Sequence, residues 1–153
     1  MSEPLLSVED LHVRFDTYAG VVHAVNGMTF AVERGEFFGL VGESGCGKSV
    51  TGLAILRMIP GGGRVTAGRI SFHGQNLLEK NDAEMRAVRG RQIAMVFQDP
   101  AATLNPVFTV GSQIVRVVRQ HTGASVQEAR RRAQQTLEAD ALPDPPGIQR
   151  AYP

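Results

Sequence analysis

Three scarcities narrow the reading of this chain before any motif is considered. It holds a single cysteine, Cys46, which excludes an internal disulfide and a thiolate cluster for zinc and fits a reducing compartment such as the cytosol. No stretch reaches the ~18 consecutive apolar residues of a membrane span, and Met1 to Asp10 lacks the basic flank and long apolar run of a secretory leader. An excess of one charge is also missing: 16 basic residues face 15 acidic ones, the net charge is +1 and the pI is near 8.0. Composition therefore supplies no field that would favour nucleic acid or anionic lipid. The four histidines, His12, His23, His73 and His121, are scattered without metal-ligand spacing. Lysine is rare as well, since 14 of the 16 basic residues are arginine and only Lys48 and Lys80 are lysine. A lysine at position 48 is thus conspicuous.

What is present is enough for one ordinary domain. With 153 residues and 42% apolar content, the chain can bury roughly two-thirds of its unfolded surface. Alternation over Leu5 to Phe15 predicts a strand, and Val21 to Val25 and Met28 to Val32 predict two more, together a small antiparallel sheet. Residues 36–41 and 92–97 are apolar without alternation, as expected of parallel strands covered on both faces. A helix is predicted from Lys48 to the Pro60-Gly61-Gly62-Gly63 stop, a strand at Arg69 to His73, and a short polar helix at Asp82 to Val88. Two helices should follow, Val110 to Gln120 and Val126 to Ala139, the latter opened by a capping box at Ser125-Val126-Gln127-Glu128. The run Arg130-Arg131-Arg132 reads as a solvated helix face, because three successive residues point in three directions around the axis.

One segment carries chemistry. Gly42-Glu43-Ser44-Gly45-Cys46-Gly47-Lys48-Ser49 satisfies G-x-x-x-x-G-K-[ST], a pattern that this composition produces by chance roughly 0.2% of the time. Glycines let backbone N–H groups wrap phosphates, and the positive end of the following helix adds to the attraction. Lys48 supplies a point charge for the β- and γ-phosphates, and Ser49 presents a hydroxyl to Mg²⁺. The loop with Val50 behind it is therefore the candidate nucleotide-binding segment, and ATP with Mg²⁺ the candidate ligand. No nearby base suggests a nucleophilic role for Cys46.

Val41 to Ser49 resembles the Walker A segment of the ATP-binding subunits of ABC transporters, especially those of dipeptide and oligopeptide importers. Phe97-Gln98-Asp99-Pro100 followed by Leu104-Asn105-Pro106 resembles the Q-loop region of that family, and Tyr18 to Val25 resembles the segment carrying its aromatic A-loop residue. The resemblance implies an α/β fold: a P-loop NTPase (RecA-like) core with an N-terminal antiparallel β subdomain over residues 1–108, and the start of a helical subdomain over 109–153. It also implies Gln98 as a catalytic residue and Mg²⁺ ligand beside Lys48 and Ser49, and Tyr18 as the adenine platform, with Phe15 a rival. Partners would be the membrane subunits of a transporter and a second ATP-binding subunit in a head-to-tail dimer, at the cytoplasmic face of the membrane.

No LSGGQ-like signature, no apolar run ending in Asp-Glu and no later switch histidine occurs in these residues. The expectation is a truncated ATPase that binds nucleotide without turning it over alone. A non-catalytic binding module or gene remnant is the alternative. A P-loop GTPase or kinase is a further one, although no Asn-Lys-x-Asp guanine reader is present. Peptide as the solute rests on the resemblance, with nickel, glutathione or another small solute open.

Overall fold

The computed structural model describes residues 3–99 and 103–153. They divide into two compact units, residues 1–93 and 94–153.

The first unit is built on a four-stranded antiparallel sheet in the order β2-β1-β3-β4. Strand β1 (Leu6–Thr17) pairs with β2 (Gly20–Val32) on one side and with β3 (Gly63–Phe72) on the other, and the short β4 (Gln75–Asn76) extends β3. The apolar alternation of β1 skips from Val8 to Leu11, and the register shifts there against both neighbours, with Asp10 at φ +46°. An extra residue at that point returns Leu11 and Val13 to the buried face. Strand β2 is continuous where two short strands were expected. Its irregularities are absorbed as register shifts that leave Ala24 and Gly27 without partners. Val8, Leu11, Val13, Val25, Ile70 and Phe72 form the core of the unit, closed by Ala54 of α1 (Lys48–Ile55), by Leu77, and by Met85 and Val88 of α2 (Asp82–Val88). Asn81 caps α2 in a reciprocal capping box with Glu84, a signal present in the sequence but not used above.

Two predicted strands are absent. Residues 36–41 and 92–97 carry no strand, apart from a single parallel bridge between Arg89 and Ile93. An all-apolar parallel strand exists only by pairing with neighbours, and among the described residues no strand lies alongside either segment. Phe37, Val41 and Val96 consequently stand in solvent.

In the second unit, α3 (Val110–Thr122) and α4 (Val126–Ala139) pack through Val115, Ala129 and Ala133, and α5 (Pro145–Arg150) lies against both. The predicted capping box of α4 is half made: Ser125 Oγ accepts from the Glu128 N–H at 3.2 Å, but the Glu128 carboxylate is held by Arg131 and Arg132.

Candidate functional site

The glycine-rich loop enters α1 through Gly47, a buried residue at φ +93° that caps the helix with no side-chain hydrogen bond. A Cβ at this position would collide with the carbonyl oxygen of Ala24, the residue left unpaired by the register shift in β2. The bulge therefore aims a backbone carbonyl at the neck of the loop, and only glycine fits both the conformation and the space. Thr51, buried one turn further on, ties its hydroxyl back to the Gly47 carbonyl at 3.0 Å. Sheet and helix thus hold the neck from opposite sides.

Lys48 folds over the loop. Its Nζ donates to the carbonyls of Gly42 at 2.7 Å and Glu43 at 2.6 Å, and lies 3.4 Å from Cys46 Sγ. The Cys46 thiol is exposed and packs against Gly42, where an added Cβ would sit 2.6 Å from the sulfur. Among the described residues nothing accepts from the N–H groups of Lys48, Ser49 or Val50, the open first turn of the helix. The Ser49 side chain is exposed and has no hydrogen-bond partner among them. Free N–H groups at a helix start, a lysine ammonium and an unengaged hydroxyl are the donor set that a phosphate chain with its cation requires. The residues fit that group.

Tyr18 lies in the two-residue loop joining β1 and β2 and is fully exposed, whereas Phe15 is half-buried and its ring packs over Gly63. Of the two aromatic candidates, only Tyr18 has a free face. Gln98 is exposed in the second unit, and Pro100 lies outside the described residues. The segment after it is held by a residue that the sequence did not single out: Gln113 of α3 accepts from the Asn105 N–H at 2.9 Å and donates to the carbonyls of Asn105 and Phe108, each at 3.0 Å. A glutamine on a helix gives no advance sign of such a role, since its targets lie in the preceding loop. His12 pairs with Asp10, His73 lies beside Arg34, and among the described residues no group of three His, Cys, Asp or Glu could hold a metal.

The profile of the ABC transporter family matches residues 25–147, a stretch that takes in the loop, α1, α3, α4 and the first turn of α5. The chain belongs to the ABC transporter family. It is 45% identical to the dipeptide transport ATP-binding protein DppD of Bacillus subtilis strain 168, across 99% of this chain and 45% of that protein. The oligopeptide transport ATP-binding protein OppD of the same organism is 44% identical across 92% of this chain and 40% of its own length. For the glutathione import ATP-binding protein GsiA of Salmonella typhimurium the identity is 43%, over 99% and 25%. The chain thus spans less than half the length of these ABC relatives. Among solved structures, the dimeric ATP-binding cassette MJ0796 in a post-hydrolysis state with ADP and Pi superposes with a TM-score of 0.77 at 21% identity, covering 97% of this chain and 61% of that one. The likeness establishes the ABC cassette fold for a chain in which residues 36–41 and 92–97 form no strand.

Proposed function

We propose that these residues form the nucleotide-binding part of an ATP-binding subunit that drives import of peptides through an ABC transporter. The observation that carries the reading is the loop 42–49, where a positive-φ glycine neck, the Lys48 ammonium and the unengaged first turn of α1 come together within eight residues. Residues 42–50 bind the phosphates, with Lys48 neutralising the terminal ones. Tyr18 stacks on adenine, an arrangement worth ~1–3 kcal/mol by analogy with base stacking in nucleic-acid complexes. Ser49 and Gln98 are the residues that would hold Mg²⁺, which when bound offsets charge on the transferring phosphoryl group. The division at 108/109 assigns the nucleotide-binding core to the first part and a helical, partner-facing subdomain to the second.

Support for the peptide class comes from the dipeptide and oligopeptide relatives, and the glutathione relative extends the class to small peptide-like solutes. Partners follow from the same proteins: membrane subunits that carry the solute, and a second ATP-binding subunit, as in the dimeric cassette structures. The subunit works at the cytoplasmic face of the membrane, and none of its described helices is long and apolar enough to cross it. Hydrolysis calls for an oriented water and charge stabilisation. The signature and Asp-Glu groups for this do not occur among the present residues, so on this reading they bind ATP without turning it over alone.

The test is denaturant unfolding of the chain with ATP and Mg²⁺. At ~100 times the Kd, ATP should add about 2.7 kcal/mol of stability, and Lys48→Ala should remove the gain. Equal protection of the Lys48→Ala chain would overturn the assignment, and preference for GTP would move the chain to another nucleotide class.

A further inference from the structure

Charge of one sign gathers in a cavity of about 550 Å³ wholly within residues 94–153, a size typical of small-molecule sites. Arg116 and Arg119 of α3, Arg130 of α4 and Arg150 at the end of α5 line it, together with the buried Val115 and the exposed Val126. Arg116 and Arg119 stand one helical turn apart and so share a face. No Asp or Glu lines the cavity, and none of the four arginines is ion-paired among the described residues. The remaining two arginines of the unit behave differently, because Arg131 and Arg132 both bond the Glu128 carboxylate at 2.8–2.9 Å. The contrast matters: one arginine group is neutralised by its own helix, whereas in the other Arg116 lies over the Phe108 ring, 4.2 Å from its centroid, and no carboxylate of the cavity wall answers the charge.

A second, independent observation lies in the same wall. The Nε2 of Gln149 is buried and finds no acceptor, although Gln149 lines the cavity. Its backbone is fixed in place. A Cβ on Gly111 would lie 2.7 Å from the Gln149 carbonyl oxygen, and the Val110 N–H donates to the Ala151 carbonyl at 2.9 Å, so α5 is pressed onto the start of α3. A buried donor without an acceptor is a standing cost, and rotation of the Gln149 amide toward an oxygen atom in the cavity would remove it. Guanidinium forks match carboxylate and phosphate oxygens in pairs, and the two valines of the lining suit a compact carbon skeleton.

We propose that this cavity is a binding site for a small organic anion bearing two or more carboxylate or phosphate groups, separate from the nucleotide loop. Anion oxygens neutralise the arginines and accept from Gln149 Nε2, and binding holds α3, α4 and α5 together. The inference does not depend on the nucleotide reading, since the loop at 42–49 lies outside residues 94–153.

Calorimetric titration of citrate into the 153-residue chain tests it, without nucleotide or magnesium. One citrate should bind per chain, at least tenfold more weakly after Arg116→Ala or Arg130→Ala, and with unchanged affinity in Arg131→Ala and Lys48→Ala. All four substituted side chains are solvent-facing or half-buried, so far-UV circular dichroism should stay constant across the set. Gln149→Glu, which turns the orphan donor into a carboxylate, should abolish binding in a chain of the same helicity. The proposal fails if citrate does not bind, if Arg116→Ala and Arg130→Ala are silent, or if Lys48→Ala removes binding and so places the anion at the phosphate loop. Capture of a glutamate-rich peptide by these arginines without citrate binding would likewise overturn it, in favour of a protein-docking surface.

Discussion

At Gly47 two constraints coincide, a left-handed backbone and the Ala24 carbonyl against its α-carbon. Gly47→Ala would meet both, adding about 1–2 kcal/mol of backbone strain to a further 1–3 kcal/mol of overpacking. Urea unfolding should register a loss of about 2–5 kcal/mol, and an unchanged midpoint would mean that the bulge can retreat. Lys48 is the opposite case, since among the described residues its side-chain hydrogen bonds reach two carbonyls and a thiol of its own loop. Its replacement should therefore spare the fold. The loop was legible in the sequence because its pattern fixes residue types at fixed spacing, each with a local backbone reason. Gln113 was not legible: its three hydrogen bonds exist only once the chain has turned after Asn105.

Among elements, α1 shows how strongly a helix end can be specified. The Arg57 N–H bonds the Ala54 carbonyl and the Met58 N–H bonds the Leu53 carbonyl, a Schellman closure with an arginine at φ +51° where glycine is usual. Side chains explain the choice. Arg57 reaches the Leu77 and Lys80 carbonyls, and Arg89 donates to the carbonyls of Leu56 at 2.7 Å and Arg57 at 2.9 Å. The helix consequently ends at Ile55, short of the glycine run that the sequence offered as its stop. Arg89→Ala removes two charge-assisted bonds from half-buried carbonyls and should cost about 1–3 kcal/mol in chemical denaturation.

Helix α4 carries a pH signature. Hydrogen bonds from Arg132 and then Arg131 hold the Glu128 carboxyl below the ordinary glutamate range. A lowered folded-state value means that the stabilisation is complete above the ordinary range and disappears as pH falls through the lowered value. In a side-chain NMR titration, Glu128 should protonate at lower pH than a free glutamate, and Arg132→Ala should move it back toward that range. The predicted starts of α3 and α4, and the end of α4, agree with the structure because caps and the 3.6-residue period are local signals. Residues 36–41 and 92–97 were misread for the converse reason. A strand is a property of a pair, and the apolar run states a need for neighbours without supplying them.

The molecule as a whole holds a well-packed sheet core and a small helical one, together with apolar groups outside both. Phe37, Val41, Val96 and Tyr152 are all more than half exposed. Unpaired apolar segments of this kind favour association with other chains. Light scattering of the isolated 153 residues should show concentration-dependent oligomers. A monodisperse monomer at ~100 μM, well inside the concentration range where such surfaces aggregate, would contradict this.

Strand β2 also acts as a measuring rod. It runs from Gly20, beside the hairpin loop that bears Tyr18, to Ala24, against which the Gly47 neck is seated. Four residues of extended chain set about 14 Å between those two points. On the proposed reading, base and phosphates are gripped at opposite ends of a span fixed by backbone length. Cutting one residue from each strand of the hairpin would shorten the span by about 3.4 Å and turn the tip over to the other face of the sheet. Such a change would separate recognition of the base from recognition of the phosphates without touching a single side chain that contacts either.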